Sequence, residues 1–175
     1  CAVRRIECIR VFSRTAETRE AFAREMGKKL GIAVEAAADA ESCVRGADIV
    51  VTATGSATPV VLGDWLSPGC HVNVVGANAE TRREVDGAAV LRAALVAVDD
   101  RAQARVEAAE LIDLASSGRL DWIDVVELGD IVRGTVPVRR GATDITLFKS
   151  LGIALEDVPF GNMIYRRALE RGRGT

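Results

Sequence analysis

The chain has 175 residues, 49% of them apolar, with a formal net charge of −2. This is enough for one domain with a proper core, and too apolar for a disordered segment. The charge gives no footprint for nucleic acid, and no apolar run approaches the length of a membrane span. The four cysteines, Cys1, Cys8, Cys43 and Cys70, form no CxxC pair. They read as reduced thiols of a cytoplasmic protein, with no metal site and no disulfide framework.

In chain order, apolar runs alternate with helical patterns. "CAVRRIEC" reads as the tail of a helix and "IECIRVF" (6–12) as a strand. "TAETREAFAREMGKKLG" follows as a helix, with Thr15 at its N-cap, Phe22, Met26 and Leu30 on one face, and Gly31 as its stop. "IAVEA" is a short strand, and "DAESCVRGA" a short helix capped by Asp39. "ADIVVTAT" (47–54) is a continuous apolar run, the pattern of a parallel strand buried on both faces. After a turn at Pro68-Gly69 comes a second buried strand over 70–75. "EVDGAAVLRAA" reads as a helix, "LVAVDD" as a strand, and "RAQARVEAAELIDLASSG" as one helix ending at Gly118. Residues 122–143 are irregular apart from a short helix at "VELGDIVRG"; "DITLF" is a late strand. A long C-terminal helical segment then breaks near Pro159.

Strand–helix alternation of this kind predicts a doubly wound α/β domain with a mostly parallel, Rossmann-type sheet. Ligands of such sheets bind beyond the carboxyl ends of the strands. The loops at 13–15, 54–58 and 76–81 therefore become candidate ligand contacts. A dinucleotide-binding sheet opens with a strand and a GxGxxG turn, followed about 20 residues later by a residue that reads the ribose. No GxGxxG occurs in the chain. If Ser13-Arg14 is the tip of the second strand, the Gly-rich turn and the first strand are expected ahead of Cys1. That strand is central in the order 3-2-1-4-5-6. Its loss would forfeit on the order of 6–18 kcal/mol of burial, so an upstream segment or a partner chain is expected to fill the gap.

At the same tip an acidic residue would favour NAD. Ser13, Arg14 and Thr15 instead offer a guanidinium and two hydroxyls, which suit a 2′-phosphate. A solvated arginine beside a threonine N-cap accounts for the same residues. His71, the sole histidine, reads as structural, because a metal site needs several ligands together. Asp99-Asp100 reads as a helix N-cap rather than a carboxylate pair, and the charges at 80–84 as a solvated face. Trp65 and Trp122 read as core or interface anchors. Lys149 reads either as a cation at a helix start, which the macrodipole disfavours, or as a functional group.

"RVFSRT", "GADIVVTATGSATPVV", "WLSPGCHVNVVGANAETRREVD", "VELGDIV" and "DITLFKSLGIALEDV" resemble, in order and spacing, the ornithine cyclodeaminase/mu-crystallin family. "GANAETRREVD" and "LFKSLGIALED" are the most specific of them; "ADIVVTATG" alone fits many Rossmann proteins. The resemblance implies an NAD(P)-binding domain over 1–147 that follows an N-terminal substrate and dimerisation domain. It also implies a helical segment over 148–175 that packs back toward that substrate domain. The implied chemistry is hydride transfer between nicotinamide and the α-carbon of an amino or imino acid. The resemblance also implies NADP(H) as the preferred cofactor with NAD(H) possible, and a homo-oligomer acting on a small amino or imino acid.

Carried over by motif, Ser13, Arg14 and Thr15 match adenosine-side contacts. Thr52, Ala53, Thr54 and Gly55 match the turn beneath the cofactor. Val75, Gly76, Ala77 and Asn78 match the loop beside nicotinamide and substrate. Phe148, Lys149, Ser150, Leu151 and Gly152 match the segment closing over the nicotinamide ring. Asn78 and Lys149 are the candidate catalytic residues, and the charges at 80–84 fix the loop within this motif. Family members that deaminate ornithine carry Asp where Asn78 stands. An amide has no useful pKa, so Asn78 turns the expectation from cyclodeamination toward imine reduction or amino-acid dehydrogenation. The family's substrate-carboxylate arginine and catalytic lysine have no counterpart in these residues. A chain complete at Cys1 would instead be a cofactor-binding or oligomerising protein without chemistry.

Overall fold

The computed structural model describes residues 3–174. Cys1 lies outside them, and so does the start of the stretch read as a helix tail. Residues 3–7 form no helix, against that reading. Among the described residues the strands form two ladders, and every pairing is parallel.

The smaller ladder pairs β1 (Cys8–Val11) with β2 (Ala33–Ala36) through helix α1 (Ala16–Leu30). Gly31 ends α1 at φ +67°, a left-handed conformation that favours glycine. Thr15 occupies the N-cap position without a side-chain cap bond. Helix α2 (Ala40–Val44) is capped by Asp39, whose carboxylate accepts from Ser42 N at 2.7 Å. The larger ladder has the order β3 (Ile49–Thr52), β4 (His71–Val74), β7 (Ile145–Lys149), β5 (Ala93–Val98), β6 (Val125–Glu127). Helix α3 (Gly87–Arg92) precedes β5, and α4 (Arg101–Glu107) and α5 (Ala109–Ser116) follow it. Helix α6 (Leu128–Val132) directly follows β6, and α7 (Ala154–Glu170) follows β7.

Four expectations need correction. First, the run at 101–118 is two helices, because Ala108 leaves helical geometry at ψ 81°. That break puts Glu110 in the first turn of α5, where the helix dipole favours a carboxylate. Second, β6 lies inside the stretch read as irregular. Three residues give little periodic signal, and its pairing with β5 decides its conformation. Third, α7 continues through Pro159, which removes a single backbone donor without ending the helix.

Fourth, β3 is not buried on both faces. Val50 and Thr52 point into the core, while Ile49 and Val51 on the opposite face are 44% and 62% exposed. One face of the large sheet carries Val50, Val72, Val74, Val96, Val98 and Leu147, and α3 and α5 cover it with Val90, Leu111 and Leu114. No comparable layer covers the other face at β3 among the described residues. No strand pairing joins the two ladders among the described residues.

His71, on that second face, has partners that the sequence did not reveal. Arg139 Nη2 donates to Thr146 Oγ1 (3.3 Å), whose hydroxyl lies 2.8 Å from His71 Nδ1. Asn73 Oδ1 lies 3.3 Å from Nε2. With the Thr146 hydroxyl donating to Nδ1, this chain assigns the neutral tautomer protonated at Nε2. Burial pushes the His71 pKa below its ordinary value, against the opposing pull of the Asn73 bond. The folded state thus favours the neutral ring. Its contribution to stability is complete above pH 6.5 and is lost as pH falls through the depressed pKa. His71→Gln should remove this part of the acid slope, as urea denaturation at a series of pH values will check.

Candidate functional site

Parallel pairing in register brings Thr52, Val74, Lys149 and Val98 into one row at the carboxyl edge of the large sheet. The loops after β3, β4 and β7, and the turn after β5, therefore leave from the same edge. The last backbone rungs are Val75 N to Thr52 O and Ser150 N to Val74 O, both at 2.9 Å.

Beyond those rungs the loops are held by buried side chains. Gly76 lies so close to the β3 loop that a Cβ there would sit 2.1 Å from Thr54 N; only glycine fits. Glu84 is fully buried. Its Oε1 accepts from Thr54 N, and its Oε2 accepts from Gly76 N (2.7 Å) and Ala77 N (3.2 Å). The Glu84 carbonyl accepts from Val60 N (2.9 Å) and Val61 N (3.0 Å). Val85 fills the core, and Asp86 caps α3 by accepting from Ala89 N at 2.9 Å while also accepting from Gly63 N at 2.8 Å. The charge run read as a solvated face thus turns inward at Glu84, as a residue that fixes the loop.

Lys149 does not start a helix: it ends β7 and is fully buried. Its Nζ donates to Ala77 O and stands 3.4 Å from Glu110 Oε1. Glu110 lacks an aligned hydrogen bond, so the pair is held by charge. Burial pushes the Glu110 carboxyl above its ordinary value, and the Lys149 charge pulls it back in part. Lys149 Nζ thus meets the β4 loop at the Ala77 carbonyl, beneath the rim.

The other sequence candidates separate into two groups. Ala53, Thr54, Gly55, Val75 and Asn78 are exposed along the rim of the β3 and β4 loops, while Thr52 and Ala77 are buried beneath it. Phe148 projects to the opposite sheet face from Lys149, half-buried in the row of Asn73 and Ala97. Leu151 is buried, and Ser150 and Gly152 are tied down by Asp99. Asp99 Oδ2 accepts from Ser150 Oγ (3.0 Å), Leu151 N (2.6 Å) and Gly152 N (2.9 Å). Asp100 alone caps α4, accepting from Gln103 N at 2.7 Å.

Ser13, Arg14 and Thr15 sit at the tip of β1, on the smaller ladder. Arg14 is exposed, and Arg19 supplies a second guanidinium there, donating to Ser13 O at 3.1 Å and lying over the Phe12 ring. Sequence reasoning placed Glu84 among the charges that fix the loop but not its buried partners, took Asp99 for a helix cap where it tethers residues 150–152, and missed Arg19. Arg19, four residues after Thr15 on α1, could have been found from helical spacing.

Residues 1–172 match the ornithine cyclodeaminase/mu-crystallin family. The chain belongs to that family. Over 174 residues it is 34% identical to a Delta(1)-pyrroline-2-carboxylate reductase of Bacillus cereus, a match covering 99% of this chain and 53% of that protein. Over 158 residues it is 32% identical to the ketimine reductase mu-crystallin of Macropus fuliginosus, covering 90% of this chain and 46% of that one. The structure of Thermococcus litoralis Delta(1)-pyrroline-2-carboxylate reductase in complex with NADH and L-proline superposes with a TM-score of 0.94 at 36% identity. It covers all of this chain and 54% of the other. The chain thus spans about half the length of the curated relatives it matches, and its fold is that of an NAD-binding Rossmann-like domain.

Lys149→Met strands Glu110 without its counter-charge and should cost about 3–5 kcal/mol of unfolding free energy. Adding Glu110→Leu should recover most of that loss, since a buried ion pair and an apolar pair of similar volume are close in stability. Urea denaturation of both variants tests this.

Proposed function

We propose that this chain is the nicotinamide-binding half of an imino-acid reductase that prefers NADP(H) to NAD(H) and reduces a ketimine or pyrroline-carboxylate-type substrate. What supports the reading is the crevice at the carboxyl edge of a parallel sheet, rimmed by small residues, in a chain whose relatives carry the names of imino-acid reductases. The absence of side-chain bulk at Gly55 and Gly76 leaves backbone at the rim, the surface against which a flat ring and its ribose can lie. When bound, the reduced nicotinamide supplies a hydride to the imine carbon, and a proton on nitrogen completes the amine.

The chain's own residues hold, orient and discriminate. Arg14, with Ser13 and Thr15, would read a 2′-phosphate by charge-assisted hydrogen bonds at the β1 tip. Val75 offers apolar surface beside the ring, and Asn78 orients the substrate through its amide without exchanging protons. Ser150, Leu151 and Gly152 shape the far wall through the Asp99-tethered turn, and Phe148 flanks it from β7. Helix α7 exposes Leu155, Val158, Phe160, Ile164 and Tyr165. We assign this surface to packing against a substrate domain in a homo-oligomeric, cytoplasmic enzyme.

Cyclodeamination of ornithine is disfavoured by Asn78, which cannot serve as base. Release of proline and ammonia from ornithine would restore it. Titration of the purified protein with NADPH and NADH, read by nucleotide fluorescence, tests the cofactor reading. NADPH should bind tighter, and Arg14→Asp should weaken it by roughly 10- to 100-fold, the worth of charged hydrogen bonds to the phosphate, with little change for NADH. Unchanged NADPH affinity in Arg14→Asp removes Arg14 from that role. Failure to reduce pyrroline-2-carboxylate and other cyclic imino acids with either nucleotide overturns the reductase.

A further inference from the structure

We propose that Glu84 is a positioning residue that locks the two rims of the crevice into one unit, and that the buried Lys149–Glu110 pair completes the lock from below. The parallel ladder between β3 and β4 supplies its last backbone rung at Val75 N to Thr52 O. Between that rung and the next backbone bonds that join the two loops, Arg83 N to Ser56 O (3.2 Å) and the Val61–Val85 bridge, the ladder is interrupted, yet Gly76 and Thr54 remain in direct backbone contact. Glu84 replaces the missing rungs. One oxygen takes Thr54 N from the β3 loop, and the other takes Gly76 N and Ala77 N from the β4 loop. All three bonds use the side chain as an acceptor, which suits a carboxylate and not an amide.

Ala77 is then gripped on both sides. Its N–H goes to Glu84, and its carbonyl goes to Lys149 on β7. Glu110 on α5 supplies the charge that keeps the Lys149 ammonium in place. The exposed residue that follows, Asn78, inherits its backbone position from two enclosed groups of opposite charge, neither of which reaches the open side. As to cofactor and substrate, this inference rests on the reductase reading. The mechanical lock between the loops does not.

The test has an arm that needs no ligand. In the unsubstituted protein, the amides of Thr54, Gly76 and Ala77 should exchange with deuterium as one unit, with a shared dependence on urea. Separate behaviour of Thr54 on the one hand and Gly76 and Ala77 on the other overturns the lock. Glu84→Gln keeps the shape but turns an amide group toward N–H donors. It should accelerate exchange at all three amides by about tenfold or more while leaving the β5 amides unchanged. Unaltered exchange, or acceleration on only one loop, overturns the proposal.

In a catalytic assay the same variant should raise the KM for the reduced nucleotide and lower kcat for imine reduction together, each by about tenfold, because one loop carries the ring's support and the other carries Asn78. Glu110→Gln, acting only through Lys149, should lower kcat with a smaller change in nucleotide KM. Kinetic constants in Glu84→Gln equal to those of the unsubstituted enzyme overturn the positioning role. A protein that binds no nicotinamide nucleotide refutes the proposed function, while the exchange measurements still decide the lock.

Discussion

A carboxylate accepting backbone N–H groups is the interaction on which the crevice depends. A parallel sheet ends in loops that diverge, and every diverging loop releases amides from the ladder. Those amides must find acceptors or pay for burial. Glu84 collects three of them, and Asp99 collects two together with the Ser150 hydroxyl. Both acids solve the same problem at neighbouring strand ends. The rim can therefore remain small and exposed without being loose.

The second constraint is charge placed inside the core. Glu84, Glu110 and Lys149 are all buried beneath the strand tips. A buried pair adds little to stability compared with apolar side chains, but removing one member is expensive. What the arrangement supplies is position: a lysine rooted in β7 reaches a carbonyl of the β4 loop, so the third strand also fixes the geometry of the first two. The break between α4 and α5 serves the same end, since it turns Glu110 inward at a helix start.

Much of this was legible in the sequence. The alternation of strands and helices, the loops that face a ligand and the Asp39 cap all follow from local pattern. The interior role of the acids does not. Glu84 lies in "ETRREVD", which has the look of a solvated face, and its partner Thr54 is 30 residues away. Glu110 sits in a helical pattern whose true break at Ala108 has no local marker. Pro159 shows the reverse error: a strong local signal for a helix break has no effect on α7. The apolar run at 47–54 promised two covered faces, but hydrophobicity records only that a face can be covered. It does not record what covers it.

The two ladders carry a last consequence. Ser13, Arg14 and Thr15 belong to one, while Thr54, Gly76 and Asn78 belong to the other, and among the described residues no strand pairing joins the two. The side-chain links include the Arg10 guanidinium on β1, which donates to Ser42 O and Arg45 O, each at 2.7 Å, at the approach to β3. A ligand long enough to touch both tips would thus be a tie-rod between the two ladders. Its affinity would be set partly by how far apart they rest before it arrives.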